Sequence, residues 1–379
     1  MLCIAYCGQE GEGSVKLRAS KLKALFVLAA VAIAVLSGCK SSGTTYNPPG
    51  GVSSAAALLF VANNSSDTIY ASPFTGSPTT LSNGNAVTVP LILSASGTLF
   101  AGNCGVGCGG SGTSNVEVYA PPYTGTPTTI TNGINGPWAF ALNPANGNLF
   151  VANCGSCTGV GTDSVTEYAP PYTGAPVATI TTAVNAPLSL ALDSSGNLFV
   201  ANCGLPCLGT GTGAVDEYAP PYTGAPTAIT NAVNGPTGIN LTSTGNLFVV
   251  NYGNQTVTQY APPYTGAPAK TLTSGMNAPV IAALDRSGDL FVANCGSGCT
   301  NGTGNGSITE FAPPYTAAPT VTVTNGINAP LSLTLDGAGN LFVGNFAGNT
   351  VTVYAPPYSG VPTTVSNGVA GPEDVVVGK

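Results

Sequence analysis

Two short segments recur seven times along this chain, and their spacing narrows the possible folds more than any other feature. The first, Leu-Phe-Val-x-Asn, puts its Asn at Asn63, Asn103, Asn153, Asn202, Asn251, Asn294 and Asn345. The second, Tyr-Ala-Pro-Pro-Tyr, puts its first aromatic at Tyr70, Tyr119, Tyr168, Tyr218, Tyr260, Phe311 and Tyr354, with a degenerate first copy, Tyr70-Ala-Ser-Pro-Phe74. Each aromatic is followed by the next Asn after 33 or 34 residues, whereas 7 to 17 residues separate Asn from aromatic. So regular a period means equivalent structural units packed side by side. All variation in length falls in one loop per unit.

Each unit reads as four short strands. In the unit opening at Ala186, strand a is Leu188 to Leu192, and a Ser194-Ser195-Gly196-Asn197 turn leads to strand b, Leu198 to Asn202. The variable loop then reaches strand c, Ala214 to Tyr218. Pro220-Pro221 ends it, because proline cannot donate to a ladder. Strand d, Thr227 to Thr230, precedes Asn234-Gly235-Pro236, which opens the next unit. Composition agrees: 43% apolar residues rule out disorder, and 51 Gly with 31 Pro rule out a helical chain. Four strands per 40 to 50 residues predict an all-β, seven-bladed β-propeller over residues 55–379. The first repeat begins at Ala56-Ala57-Leu58, already in strand b. The last residues, Gly371-Pro372-Glu373-Asp374-Val375-Val376-Val377, match strand a. The C-terminal strand is therefore expected to complete blade 1 and leave no exposed sheet edge. An open solenoid would leave blade 1 one strand short.

The repeat consensus, Pro-x(5)-(Asp)-x-x-Gly-Asn-Leu-Phe-Val-Ala-Asn, resembles NHL-repeat propellers and their streptogramin lyase-like and gluconolactonase-like relatives. The likeness covers about 320 residues. It implies the fold and leaves function open, because one fold hosts many activities.

Upstream of the repeats, Lys16, Arg18, Lys21 and Lys23 precede the apolar run Ala24 to Leu36, and Leu36-Ser37-Gly38-Cys39 follows. A basic stretch, a short apolar core and small residues describe a secretion signal over residues 1–38. The core is too short for a comfortable membrane span. Leu-Ser-Gly-Cys resembles the lipobox of bacterial lipoproteins, which implies that Cys39 is acylated and becomes the mature N-terminus. Lys40 follows Cys39, favouring the outer membrane or cell surface. Val15 is a plausible true start, which would remove Cys3 and Cys7. Residues 39–54, rich in Ser, Gly, Thr and Asn, read as a flexible tether. Beyond it, thirteen acids face only Lys270, Arg286 and Lys379, a balance that excludes a nucleic-acid partner.

The other eight cysteines all lie in the variable loops: Cys104 and Cys108, Cys154 and Cys157, Cys203 and Cys207, Cys295 and Cys299. Loops with cysteines are long, and loops without are short. In an exported protein this pattern predicts four local disulfides. Two other readings are open. Four thiolates could hold zinc, although the pairs sit on separate blades with no histidine to help. Cys154-Gly-Ser-Cys157 could be a redox dithiol, although no helix follows to depress a thiol pKa.

Catalytic signals are sparse. The chain contains no histidine, which excludes Ser-His-Asp and Cys-His nucleophilic sites and a histidine base. The histidine-dependent chemistry of the lyase-like relatives is thus not implied. The gluconolactonase-like relatives bind a divalent cation at the channel mouth. The corresponding residues here, after each blade's opening proline, are Leu91, Trp138, Leu188, Thr237, Val280, Leu331 and Glu373. Only Glu373, with Asp374 beside it, is acidic, so no metal or cofactor is expected. Glu373, Asp374 and Trp138 form the candidate channel-mouth site. The seven strand-b Asn residues could form a polar ring or cap turns. Glu167, Glu217, Gln259 and Glu310 share one strand-c position and form a one-sided acidic patch, read as a solvated outer strand. The b–c and d–a loops lie on one face by strand direction, so the expected function is a monomeric, lipid-anchored module. It would bind an envelope protein or polysaccharide through the disulfide-pinned loops. The alternative is a metal-dependent lactonase-like or lyase-like enzyme at the channel mouth.

Overall fold

A computed structural model describes residues 57–378 except 65, 82–86, 106–112, 156–162, 205–212, 297–298, 300–304 and 317. The signal segment 1–38, Cys39 and the tether 39–54 lie outside these residues, as do Cys108, Cys157 and Cys207.

Seven four-stranded antiparallel sheets are formed, each in the order a-b-c-d from the axis outwards. In blade 4 the strands are Pro187–Leu192, Leu198–Asn202, Ala214–Tyr218 and Thr227–Ile229, within two residues of the sequence-based bounds. Alternation within strand b places one set of side chains against each neighbouring blade. The strand is buried on both faces, which is why it reads as an unbroken apolar run.

Blade 1 is closed by the far end of the chain. Its strand a is Asp374–Gly378, paired with strand b, Leu58–Ala62, in the register Leu58↔Gly378 through Ala62↔Asp374. The main-chain amide of Glu373 donates to Ala62 O at 2.8 Å, and that of Asn64 donates to Ala370 O at 3.1 Å. The ring is shut.

Blade 2 departs from the register its sequence suggests. In blade 2, strand a is Thr88–Leu93, and Leu93↔Leu99 sets its register. Val89 therefore occupies the position assigned to Leu91, and Thr88 stands where the other blades have their opening proline. Pro90 lies two residues further on. Its ring packs where a side chain on residue 102 would project: a Cβ there would come within 2.7 Å of Pro90 Cγ and 2.8 Å of Phe140 Cζ. Glycine at position 102 makes room for the shifted proline.

Aromatic side chains join the blades. The second aromatic of each Tyr-Ala-Pro-Pro-Tyr corner meets the strand-b Phe of the preceding blade edge-on. Phe150 and Tyr222, for example, have centroids 5.3 Å apart at 85°. Seven such pairs run round the ring, the last joining Phe342 of blade 7 to Phe74 of blade 1. The corner hydroxyl donates to the glycine carbonyl of its own a–b turn, as Tyr222 does to Gly196 at 2.8 Å. In five blades the first aromatic reaches back one blade, as Tyr168 donates to Asn132 O at 2.6 Å and Tyr70 to Asn367 O at 2.7 Å across the seam; Tyr119 donates to Glu117 of its own strand, and Phe311 has no hydroxyl. Offset T-shaped pairs contribute about 0.5–1.5 kcal/mol each beyond their buried area, so repetition makes this face both uniform and stiff.

Candidate functional site

The upper face carries the variable b–c loops together with the d–a turns. Directly after its strand-b Asn, each of six blades donates a main-chain amide to the d–a turn. The donors are Cys104 to Val87 O, Cys154 to Gly136 O, Cys203 to Ala186 O and Cys295 to Ala278 O, with Tyr252 and Phe346 replacing cysteine in two short loops. The two layers approach so closely that a Cβ on Gly136 would lie 2.2 Å from Gly155 O. Side chains at the foot of three returning loops then hold the next blade's opening turn. Ser114 accepts from the Gly136 amide at 3.0 Å, Asp163 from Ala186 at 2.7 Å and Asn349 from Gly371 at 2.7 Å. Burial holds the Asp163 carboxyl above the usual carboxylate range.

The strand-b Asn residues are caps. All seven are buried. Asn153 accepts from the Asn135 amide at 2.9 Å and donates to Thr166 Oγ1 at 3.0 Å. Asn202, Asn251, Asn294 and Asn345 accept in the same way, and Asn63 accepts from Ala370 across the seam. In blade 2, where the opening turn differs, the Thr88 hydroxyl donates to Asn103 instead, at 3.0 Å. These amides tie strand b to the turn above strand a and offer no polar ring to a ligand.

Cys295 and Cys299 form a disulfide. Cys104 and Cys154 are also disulfide-bonded, while Cys108, Cys157 and Cys207 lie outside the described residues. Cys104, Cys154 and Cys203 sit in one buried cluster with Val89, Trp138 and Leu188, so three adjacent blades share an apolar base beneath their long loops.

The residues assigned from sequence to a channel mouth, one after each opening position, are buried in every blade: Val89, Trp138, Leu188, Thr237, Val280, Leu331 and Glu373. Trp138 belongs to the blade 2–4 cluster, with 3% of its surface exposed. Glu373 lies two blades away and is fully buried. Asp374 is committed to the framework. Its Oδ1 accepts from Ser332 Oγ at 2.7 Å and from its own amide neighbour Val375 at 2.9 Å, while Oδ2 accepts from the Leu91 amide at 2.9 Å. Among the described residues no three His, Cys, Asp or Glu side chains converge as metal ligands.

The acidic strand-c row does not behave as a solvated surface throughout. Glu167 is buried, and its Oε1 accepts from Asn148 Nδ2 at 2.6 Å. Glu217 lies higher than a normal glutamate because of burial and then Asp193; Glu310 does so because of burial and then Asp289 and Asp285. Tyr222, Tyr264 and Tyr358, on the blades that face these acids, are each pushed up to about 12, first by burial and then by the nearby carboxylates. This row lies near the a–b turns, on the uniform face. A shallow groove of about 490 Å³ follows the upper outer edge of blade 6, lined by Asn305, Ser307, Thr309, Thr322, Thr324 and Ile327, none of them titratable.

Three features escaped the sequence reading: the interblade aromatic ring, the burial of Glu167, and the hydroxyls and carboxylate at the third position of strand a. The recurring second Tyr of the corner and the strand-b Phe were the signal for the first. Nothing local marks the others.

The geometry defines a seven-bladed β-propeller with a loop-bearing face and a uniform one. No protein-family model and no curated protein matches the chain. Solved structures do. A protein of Lactobacillus plantarum aligns with a TM-score of 0.65 at 14% identity, over 86% of this chain and 99% of that one. A candidate 6-phosphogluconolactonase from Bacteroides fragilis aligns at 0.63 and 16% identity, over 87% and 100%. Streptogramin B lyase aligns at 0.57 and 12% identity, over 79% and 92%. At these identities the likeness is one of fold.

Proposed function

We propose that this chain is an exported lipoprotein, anchored through Cys39 to the outer membrane or cell surface, whose NHL-like propeller binds an envelope protein or polysaccharide on its upper face. One observation carries the reading: every insertion falls between strands b and c, whose joined ends lie on one face, over a scaffold whose a–b turns and c–d corners are nearly identical from blade to blade. Variation concentrated on a rigid frame is how loop-borne binding sites are built. The Cys295–Cys299 bond, and three matching bonds in blades 2, 3 and 4, would limit the entropy lost when such loops grip a partner. Shortening the loops of blades 2, 3, 4 and 6 to the length found in blade 5 should leave the β circular dichroism intact. It should also abolish crosslinked capture of envelope components, and retained capture would refute the reading.

The enzyme reading draws on the lactonase and lyase names among the structural neighbours. Against it stand the absence of histidine, the burial of Glu373 and the engagement of both Asp374 oxygens. Stoichiometric metal in purified protein, lost in Glu373→Gln, would restore it.

A further inference from the structure

We infer that Asp374 is a clasp that makes closure of the ring depend on the last strand of the chain. The innermost strand of every blade has one edge without a strand partner, and the amides on that edge need acceptors. Counted from the opening residue of strand a (Pro187, Pro330 and Pro372), the third residue in three of the blades supplies an acceptor to the fourth residue in the next. Ser189 of blade 4 accepts from the Ile239 amide of blade 5 at 3.1 Å, and Ser332 of blade 7 accepts from the Val375 amide of blade 1 at 3.0 Å. The receiving residues share one register, each paired with the residue two before the strand-b Asn: Ile239↔Val249, Val375↔Val61 and Leu91↔Ala101. Asp374 occupies this same third position in blade 1 and accepts from Leu91 of blade 2.

It differs from the serines in having a second oxygen. Ser332 donates to that oxygen at 2.7 Å while accepting from Val375, so one carboxylate ties blades 7, 1 and 2 together. The corresponding residues elsewhere are Pro90, Ala139, Ser189, Gly238, Ile281 and Ser332. None of them is a carboxylate able to bridge three blades. The one carboxylate at this position of strand a therefore stands where the first and last strands of the ring meet, and its burial makes each of its hydrogen bonds more valuable than at a surface. The seam becomes a separable element. Blades 2 to 7 can assemble as the chain emerges, and the ring locks only when residues 373–378 arrive.

Native-state hydrogen exchange on the full chain tests this, comparing wild type with Asp374→Ser. The serine keeps the cap on Leu91 and loses the second tie. Hydrogen bonds to charged groups are worth enough that exchange in 374–378 and 58–62 should quicken about 10- to 100-fold, with strands of blades 4 and 5 within about twofold of wild type. Equal acceleration in every blade, or no acceleration at the seam, would overturn the proposal. Should the variant fail to fold, exchange of the wild type in rising denaturant decides. Seam amides opening before those of blades 4 and 5 support the clasp, and a single common opening contradicts it.

Discussion

Single buried polar atoms, repeated from blade to blade, fix how the strands are tied to the turns above them. Asn251 is representative: it accepts from the Asn234 amide at 3.1 Å and donates to Thr258 Oγ1 at 3.0 Å, fully buried. Asn251→Leu leaves that amide and hydroxyl without their partner, and destabilisation of about 1–3 kcal/mol is expected in denaturant titrations. The corner tyrosines separate two contributions. Tyr264→Phe removes the bond to Gly245 O but keeps the edge-on pair with Phe199, so a loss of about 1 kcal/mol is expected. Tyr264→Ala removes both and should cost about 3–5 kcal/mol. A Phe variant as damaging as the Ala variant would show that the ring contact contributes little. The strand-b Asn could be identified as a cap from sequence because its chemistry is local. Asp374 could not, because its donors lie 42 and 283 residues away.

Among the elements, strands b and c were legible almost to the residue, since their apolar runs end at fixed Asn and Pro-Pro punctuation. The inner strand was less so. In blade 2 the proline that marks the opening elsewhere is displaced two residues, and only the pairing Leu91↔Ala101 reveals it. The acidic strand-c residues read as solvated because alternation within one strand does not show that the next blade covers them; Glu167 is buried by its surroundings. The Cys295–Cys299 bond closes a short loop, for which chain entropy predicts only about 2 kcal/mol. Cys299→Ser should therefore leave the β circular dichroism unchanged and lower the melting temperature by only a few degrees. Wholesale unfolding on loss of this one bond would mean that the loops carry the fold.

Taken whole, the propeller is an acidic body with almost no base to balance it: thirteen acids and three bases follow the tether. Asp163, Asp216, Glu217, Asp289 and Glu310 are all raised, in each case first by burial. The folded chain holds these protons more tightly than the unfolded one. The stability they contribute is complete below ordinary carboxylate values and is lost as pH rises through the raised ones. Melting temperature should thus be higher near pH 5 than at pH 8, and added salt should narrow the gap by screening repulsion. A melting temperature that climbs towards pH 8 would show depressed carboxylates instead. The fold class and the sidedness of the loops were visible in sequence because both follow from the period. The identity of the partner is not encoded in the period at all. An upper, loop-bearing face requires that the first and last strands of the ring lie side by side, with Leu58 opposite Gly378. Cysteines placed at these two positions should join on mild oxidation into an intramolecular disulfide, seen by peptide mass mapping of the monomer. Crosslinks found only between molecules, or none at all, would contradict the closed ring.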